Sequence, residues 1–201
     1  MNKPHLCQSD PKWKDSLLWF SSSSSIGAKG CGLTGAAQLQ REFGIRLDAT
    51  PLTAQADAIA RFRALGGNAS LLPAIRLPVT HPFQPGVNIV WATAFDSLGM
   101  RISPCVDQSA GLKAMRGAIL GALLTGGRAM LNVDHDEHRK GGDPEGDHYV
   151  TALRLDVDRI VYADPADGAE WSLPVGTLTG PATWGSRTFA VRGVRAVVRK
   201  Q

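Results

Sequence analysis

The sequence predicts an α+β domain, helices first and an antiparallel sheet after them. Three patterns carry that reading. Before residue 66 and again from 109 to 124, apolar residues recur three and four apart; from residue 129 onward the period falls to two; and Gly-Gly pairs or prolines mark the changes. At 201 residues, 43% hydrophobic and 20% charged, the chain suits one compact domain spanning 1–201 with its own core. No apolar run approaches the roughly 20 residues of a membrane span.

In chain order, the N-terminal arm offers Trp13, Leu17, Leu18, Trp19 and Phe20, then a serine run at 21–25 that reads as a flexible loop. A first long helix is expected from Cys31 to about Phe43, with Ala36, Leu39 and Phe43 inward and Gly44 as its stop. Thr50-Pro51 reads as an N-cap followed by proline at the first helical position. The helix it opens carries a stripe of Leu52, Ile59, Phe62 and Leu65 and ends at Gly66-Gly67. Residues 68–108 contain five prolines (73, 78, 82, 85 and 104) and read as an insertion beside the cleft, with a short element around Val87 to Phe95. Ser109 is the expected cap of a further helix with Leu112, Met115, Ile119 and Leu123 inward and Gly126-Gly127 as its stop. Four strands follow: Ala129 to Val133, Tyr149 to Leu155, Ile160 to Ala163 after the turn at Asp156-Val157-Asp158, and Thr188 to Val198 with a kink at Gly193.

Cys7, Cys31 and Cys105 are odd in number and irregular in spacing, which argues against a disulfide framework. The first residues lack the apolar stretch of a secretory signal, so a reducing cytoplasm is the expected setting, with release by lysis or a dedicated secretion route as the other course. The net charge of +4 is partly concentrated in Arg192, Arg195, Arg199 and Lys200 and reads as a solvated strand face, ahead of the alternative of anionic surroundings such as a cell wall or nucleic acid. Nothing has the spacing of a zinc finger or the aromatic and basic interleaving of a nucleic-acid binder.

The chemistry centres on Cys31, in Gly30-Cys31-Gly32-Leu33-Thr34, where a loop turns into a helix. Unpaired N–H groups and the positive end of the helix dipole favour a thiolate there. A thiol nucleophile needs a base, and the base needs a partner that fixes its tautomer. His148, opening one strand, and Asp164, closing the next, would meet at one edge of an antiparallel hairpin. Each has a duller reading alone: a buried thiol, a strand-end histidine, an Asp-Pro turn. As an ordered set they predict nucleophile, base and orienter.

With Gln8-Ser9-Asp10-Pro11-Lys12-Trp13, Gly30-Cys31-Gly32-Leu33-Thr34, Gly127-Arg128-Ala129-Met130-Leu131-Asn132-Val133, Asp147-His148-Tyr149-Val150 and Ala163-Asp164-Pro165, the chain resembles the papain-like cysteine peptidases related to the bacteriocin leader (double-glycine) processing peptidases. The resemblance implies a papain-like fold, with the nucleophile at a helix N-terminus packed on a C-terminal sheet. It implies a covalent acyl-enzyme, Cys31 as nucleophile, His148 as base, Asp164 as orienter and Gln8 as an oxyanion-hole donor, with no cofactor and no metal. The processing peptidases proper are fused to a membrane transporter, so the likeness points to a stand-alone branch. Gly66-Gly67, Gly126-Gly127 and Gly141-Gly142 read as structural rather than as processing sites. The implied substrates are a peptide or a peptidoglycan stem peptide.

The competing signal is the stretch 134–147, whose His135, His138 and carboxylates, joined by His148, could ligate a divalent metal. Its spacing matches no closed zinc pattern and leaves Cys31 unexplained. Six acidic residues against Arg139 and Lys140 make it an acidic loop over the cleft, favouring imidazolium at His148 and a cationic substrate. A third reading is a catalytically silent binding module on the same fold.

Overall fold

The computed structural model describes residues 5–18, 24–64, 91–134, 148–181 and 188–201. The helices are α1 (Ile26–Lys29), α2 (Cys31–Glu42), α3 (Pro51–Ala64), α4 (Trp91–Ser97) and α5 (Leu112–Leu124). The strands are β1 (Met100–Ile102), β2 (Val106–Asp107), β3 (Arg128–Asp134), β4 (His148–Asp156), β5 (Arg159–Ala163), β6 (Glu170–Pro174), β7 (Thr179–Pro181) and β8 (Thr188–Arg199). They form one antiparallel sheet in the order β1-β8-β3-β4-β5-β6, with β2 and β7 also on β8. The chain is thus α+β. Among the described residues no helix is long and apolar enough to cross a membrane.

Alternation along β3 divides the core. Met130 joins Leu33, Ala36, Ala37, Leu39, Phe95 and Met100 on the α2 side. Ala129, Leu131 and Val133 face the other way, against Met115 and Ile119 of α5. α2 lies close on the sheet because Gly35 meets Met130 and Thr151, where a Cβ would stand 2.9 and 3.0 Å from their side chains. Both long helices flanking the sheet end as expected, each in a paired cap: Gly44 and Ile45 donate to Arg41 and Gln40, and Gly126 and Gly127 donate to Leu123 and Ala122.

Several expectations are corrected. On α3 the buried residues among those described are Pro51, Ala54 and Ala58, while Leu52 is 38% exposed and Ile59 half-buried. Leu65 and Gly66-Gly67 lie outside the described residues. Ser109 does not cap α5. Instead, Asp107 accepts from the N–H of Ser109 to cap a 3-10 turn (Gln108–Ala110), Gly111 leads into α5, and Leu112 is exposed. Of the stretch 68–108, residues 100–102 and 106–107 pair with β8 as β1 and β2; 68–90 is outside the described residues, as are Trp19, Phe20 and most of the serine run. Ser25 of that run caps α1, its hydroxyl accepting from Ala28. The expected kink in β8 is a bulge: Asn132 pairs with Gly193 and Val133 with Val191, leaving Arg192 as the extra residue.

Candidate active site

Cys31 owes its place to two helices that meet almost without a linker. Gly30 closes α1, its N–H donating to the Ile26 carbonyl at 2.7 Å, and α2 begins at the next residue. Only glycine fits between them, because a Cβ at 30 would stand 2.4 Å from the Ile26 carbonyl oxygen. The half-buried thiol therefore sits on the first residue of a twelve-residue helix.

His148 is the first residue of β4 and pairs with Val133 of β3. Its Nε2 lies 2.7 Å from Oδ1 of Asp164, both side chains buried. A bulge in the hairpin makes this contact. From Asp156↔Arg159 the pairing runs to Arg154↔Val161, then shifts so that Ala152 meets Tyr162 and Thr151 meets Ala163, leaving Leu153 extra. Unshifted, the register would set Asp164 level with Thr151, on the face opposite His148; shifted, it stands level with Val150, on the same face as His148. Asp164 is further fixed by the turn it starts. Its Oδ1 accepts from the N–H of Ala166 at 2.8 Å, and its carbonyl accepts from Gly168 at 2.8 Å.

With Nε2 on the carboxylate, Nδ1 is the ring nitrogen left for the thiol, and His148 and Cys31 are hydrogen-bonded. Burial alone would push the Cys31 pKa up. The hydrogen bond and charge of His148, with the backbone N–H groups of Tyr149 and Gly32, outweigh it and hold the thiol below its ordinary value. Burial likewise opposes charge on His148, yet its bonds to Asp164 and Cys31 raise its pKa to about 9. The arrangement favours a thiolate facing an imidazolium.

Gln8 is held at the same place from the N-terminal arm. Its backbone N–H donates to the Pro165 carbonyl at 2.7 Å, next to Asp164, and its side-chain Nε2 donates to the Gly27 carbonyl at 3.0 Å, leaving one amide proton over. The arm is fastened further by Cys7 Sγ to the Ala166 carbonyl, by the N–H of Leu6 to Gln38, and by His5 to Glu170. Trp13 packs in the core and donates to the Cys7 carbonyl at 2.8 Å.

Cys31, His148 and Asp164 are therefore brought into one hydrogen-bonded chain, with Gln8 anchored beside it through Pro165 and Gly27. His135 and His138 lie outside the described residues, among which no group of three or more His, Cys, Asp or Glu gathers as a metal would require. Tyr149 was missed by sequence reasoning, though its place directly after the histidine makes its backbone N–H a neighbour of the thiol. Also missed is a cavity of about 200 Å³ whose lining includes Tyr149, Asn132, Arg192 and Arg195.

No protein-family model matches the sequence, and no curated protein does. Among solved structures, SERA5E from Plasmodium falciparum is similar at 9% identity and a TM-score of 0.32, over 76% of this chain and 69% of that one. A likeness of that depth assigns neither fold family nor chemistry.

Proposed function

We propose that the protein is a papain-like cysteine hydrolase of peptide or amide bonds, working through a covalent Cys31 acyl-enzyme. One observation carries the reading: a thiol at a helix N-terminus, hydrogen-bonded to a histidine whose other ring nitrogen is held by a buried carboxylate. The Cys31 thiolate attacks the carbonyl carbon, and the carbonyl electron pair moves to oxygen. Donors for that oxyanion are the backbone N–H of Cys31 and the side-chain amide of Gln8. Collapse breaks the C–N bond as His148 gives its proton to the departing amine. His148 then takes a proton from water, the hydroxyl adds to the thioester, and the acid leaves with Cys31 restored as thiolate. Asp164 keeps the imidazole oriented and offsets its positive charge.

The test separates thiolate formation from turnover. Iodoacetamide should label Cys31 faster than a free thiol near pH 6–7, as followed by mass spectrometry, because the folded thiol is held below its ordinary pKa. Turnover needs His148 as an acid, so it should fall as pH rises through about 9, while alkylation, which needs only thiolate, does not fall there. Labelling no faster than a free thiol would leave a binding module as the reading. New amines released from unstructured peptides, or instead from purified peptidoglycan, distinguish a peptidase from a cell-wall amidase or endopeptidase.

A further inference from the structure

Residues 5–8 run between α2 and the turn that joins β5 to β6, and both sides grip them. On the α2 side, Gln38 Oε1 accepts from the N–H of Leu6 at 3.0 Å, both residues being buried. On the turn side, Cys7 and Gln8 donate to the Ala166 and Pro165 carbonyls, and His5 Nε2 lies 3.0 Å from Glu170 Oε1. Gly168 lets the turn take the arm: it has a φ of 72°, and a Cβ there would stand 3.0 Å from the His5 carbonyl oxygen and 3.2 Å from Cys7 Cβ.

The two gripping side chains are themselves held. Gln38 stands two turns after Cys31 on the same helix and so on the same face as the nucleophile. Its Nε2 donates to Glu42 Oε1 at 2.9 Å, which leaves Oε1 toward Leu6. Arg154 donates to both oxygens of Glu170, at 2.8 and 2.7 Å, and with His5 brings that carboxyl down to a pKa of about 2. At the other end of the arm, the Gln8 side chain reaches the Gly27 carbonyl in α1, the short helix that leads into Cys31. A chain of bonds therefore joins the helix of the nucleophile, the arm that carries Gln8, and the turn that starts at Asp164.

We propose that residues 5–8 are a strap that sets the Gln8 amide for the oxyanion, with Gln38 and Glu170 as positioning residues for the acylation step. The assignment rests on the hydrolase reading above, including Gln8 as an oxyanion donor. Both residues act through the arm they hold. Losing either one weakens the bond to the developing oxyanion, which depends steeply on where the donor stands. Thiolate formation is untouched, because the groups that lower the Cys31 pKa are His148 and the backbone N–H groups of Tyr149 and Gly32.

The test compares two reactions of one thiol. With p-nitrophenyl acetate, the Cys31 sulfur bonds to the acetyl carbon, the carbonyl oxygen carries the negative charge in passing, and the ester C–O bond breaks to release p-nitrophenolate. With iodoacetamide the sulfur displaces iodide and no oxyanion forms. Each second-order rate is taken less that of Cys31→Ala, which removes the share of Cys7 and Cys105, and acylation is divided by alkylation. Gln38→Met should lower this ratio about tenfold, part of the roughly hundred- to thousandfold that a whole oxyanion donor supplies. Glu170 is only half-buried, so Glu170→Ala keeps the test open if Gln38→Met does not fold; it should lower the ratio at least about threefold. Combined with Gln8→Ala, neither substitution should lower it further. Gln40→Met removes another buried amide from α2, one that holds the Leu98 carbonyl rather than the arm, and should leave the ratio unchanged.

A ratio unmoved by Glu170→Ala, an equal fall in Gln40→Met, or a further fall on top of Gln8→Ala would each overturn the strap. Iodoacetamide labelling no faster than a free thiol would take down the hydrolase reading and the strap together, whereas failure of the strap alone leaves fast labelling intact.

Discussion

The helices on the two sides of the sheet solve different problems. α5 buries one stripe, Met115, Ile119 and Ala122, and leaves Leu124 75% exposed. α2 is buried from Gly32 through Gln40 without a break, and that run includes Thr34, Gln38 and Gln40. Two of its glutamines bind distant chain: Gln38 accepts from the N–H of Leu6 while donating to Glu42 within the helix, and Gln40 donates to the Leu98 carbonyl. A helix that only supports a sheet can be amphipathic, whereas one that must aim a thiol is gripped on every side.

Removing the chemistry at the head of α2 has the largest expected effect. His148→Ala should lower turnover by at least about a thousandfold. It should also slow iodoacetamide labelling at neutral pH, since burial then acts on Cys31 without its main opposing partner. Asp164→Asn should cost less, because an amide still accepts a hydrogen bond from the imidazole while losing the charge support. Equal losses would mean that Asp164 does more than orient.

The same substitution in the two helices should have opposite signs. Gly30→Ala, at the N-cap of α2, drives a Cβ against the Ile26 backbone and should destabilise the fold by about 1–3 kcal/mol, with turnover falling as Cys31 shifts. Gly121→Ala in α5 meets no atom within 4 Å and should stabilise by about 0.4–1 kcal/mol. Denaturant unfolding reads both, and like signs would end the contrast. Smallest of all, Leu124→Gln on the open face of α5 should stay within about 0.5 kcal/mol of the parent by the same measurement.

What the sequence made legible divides along similar physical lines. α2, α5 and the β4–β5 hairpin were readable because periodicity, glycine stops and a turn agree locally. The strands β1, β2, β6 and β7 were not: each has two to five residues, too few for alternation to rise above chance. α3 misled because Leu52 and Ile59 are the larger side chains, yet it is Ala54 and Ala58 that are buried. For the site, residue types and order pointed to Cys31, His148 and Asp164, but whether His148 and Asp164 share a face depends on the bulge at Leu153. No residue type marks that bulge.

The fastening of the N-terminal arm bears on how the protein folds. His5 meets Glu170 across 165 positions and Cys7 meets Ala166 across 159, while Gln8 reaches Pro165 in the same turn that holds Asp164. Contacts so distant in sequence carry a large closure entropy and are among the last to form. α2 can coil early, from residues adjacent in sequence, but the groups around its thiol come from both ends of the chain. On the proposed hydrolase reading, reactivity is thereby tied to long-range closure of the fold: a partly made chain would hold Cys31 without His148, Asp164 or the anchored Gln8 beside it.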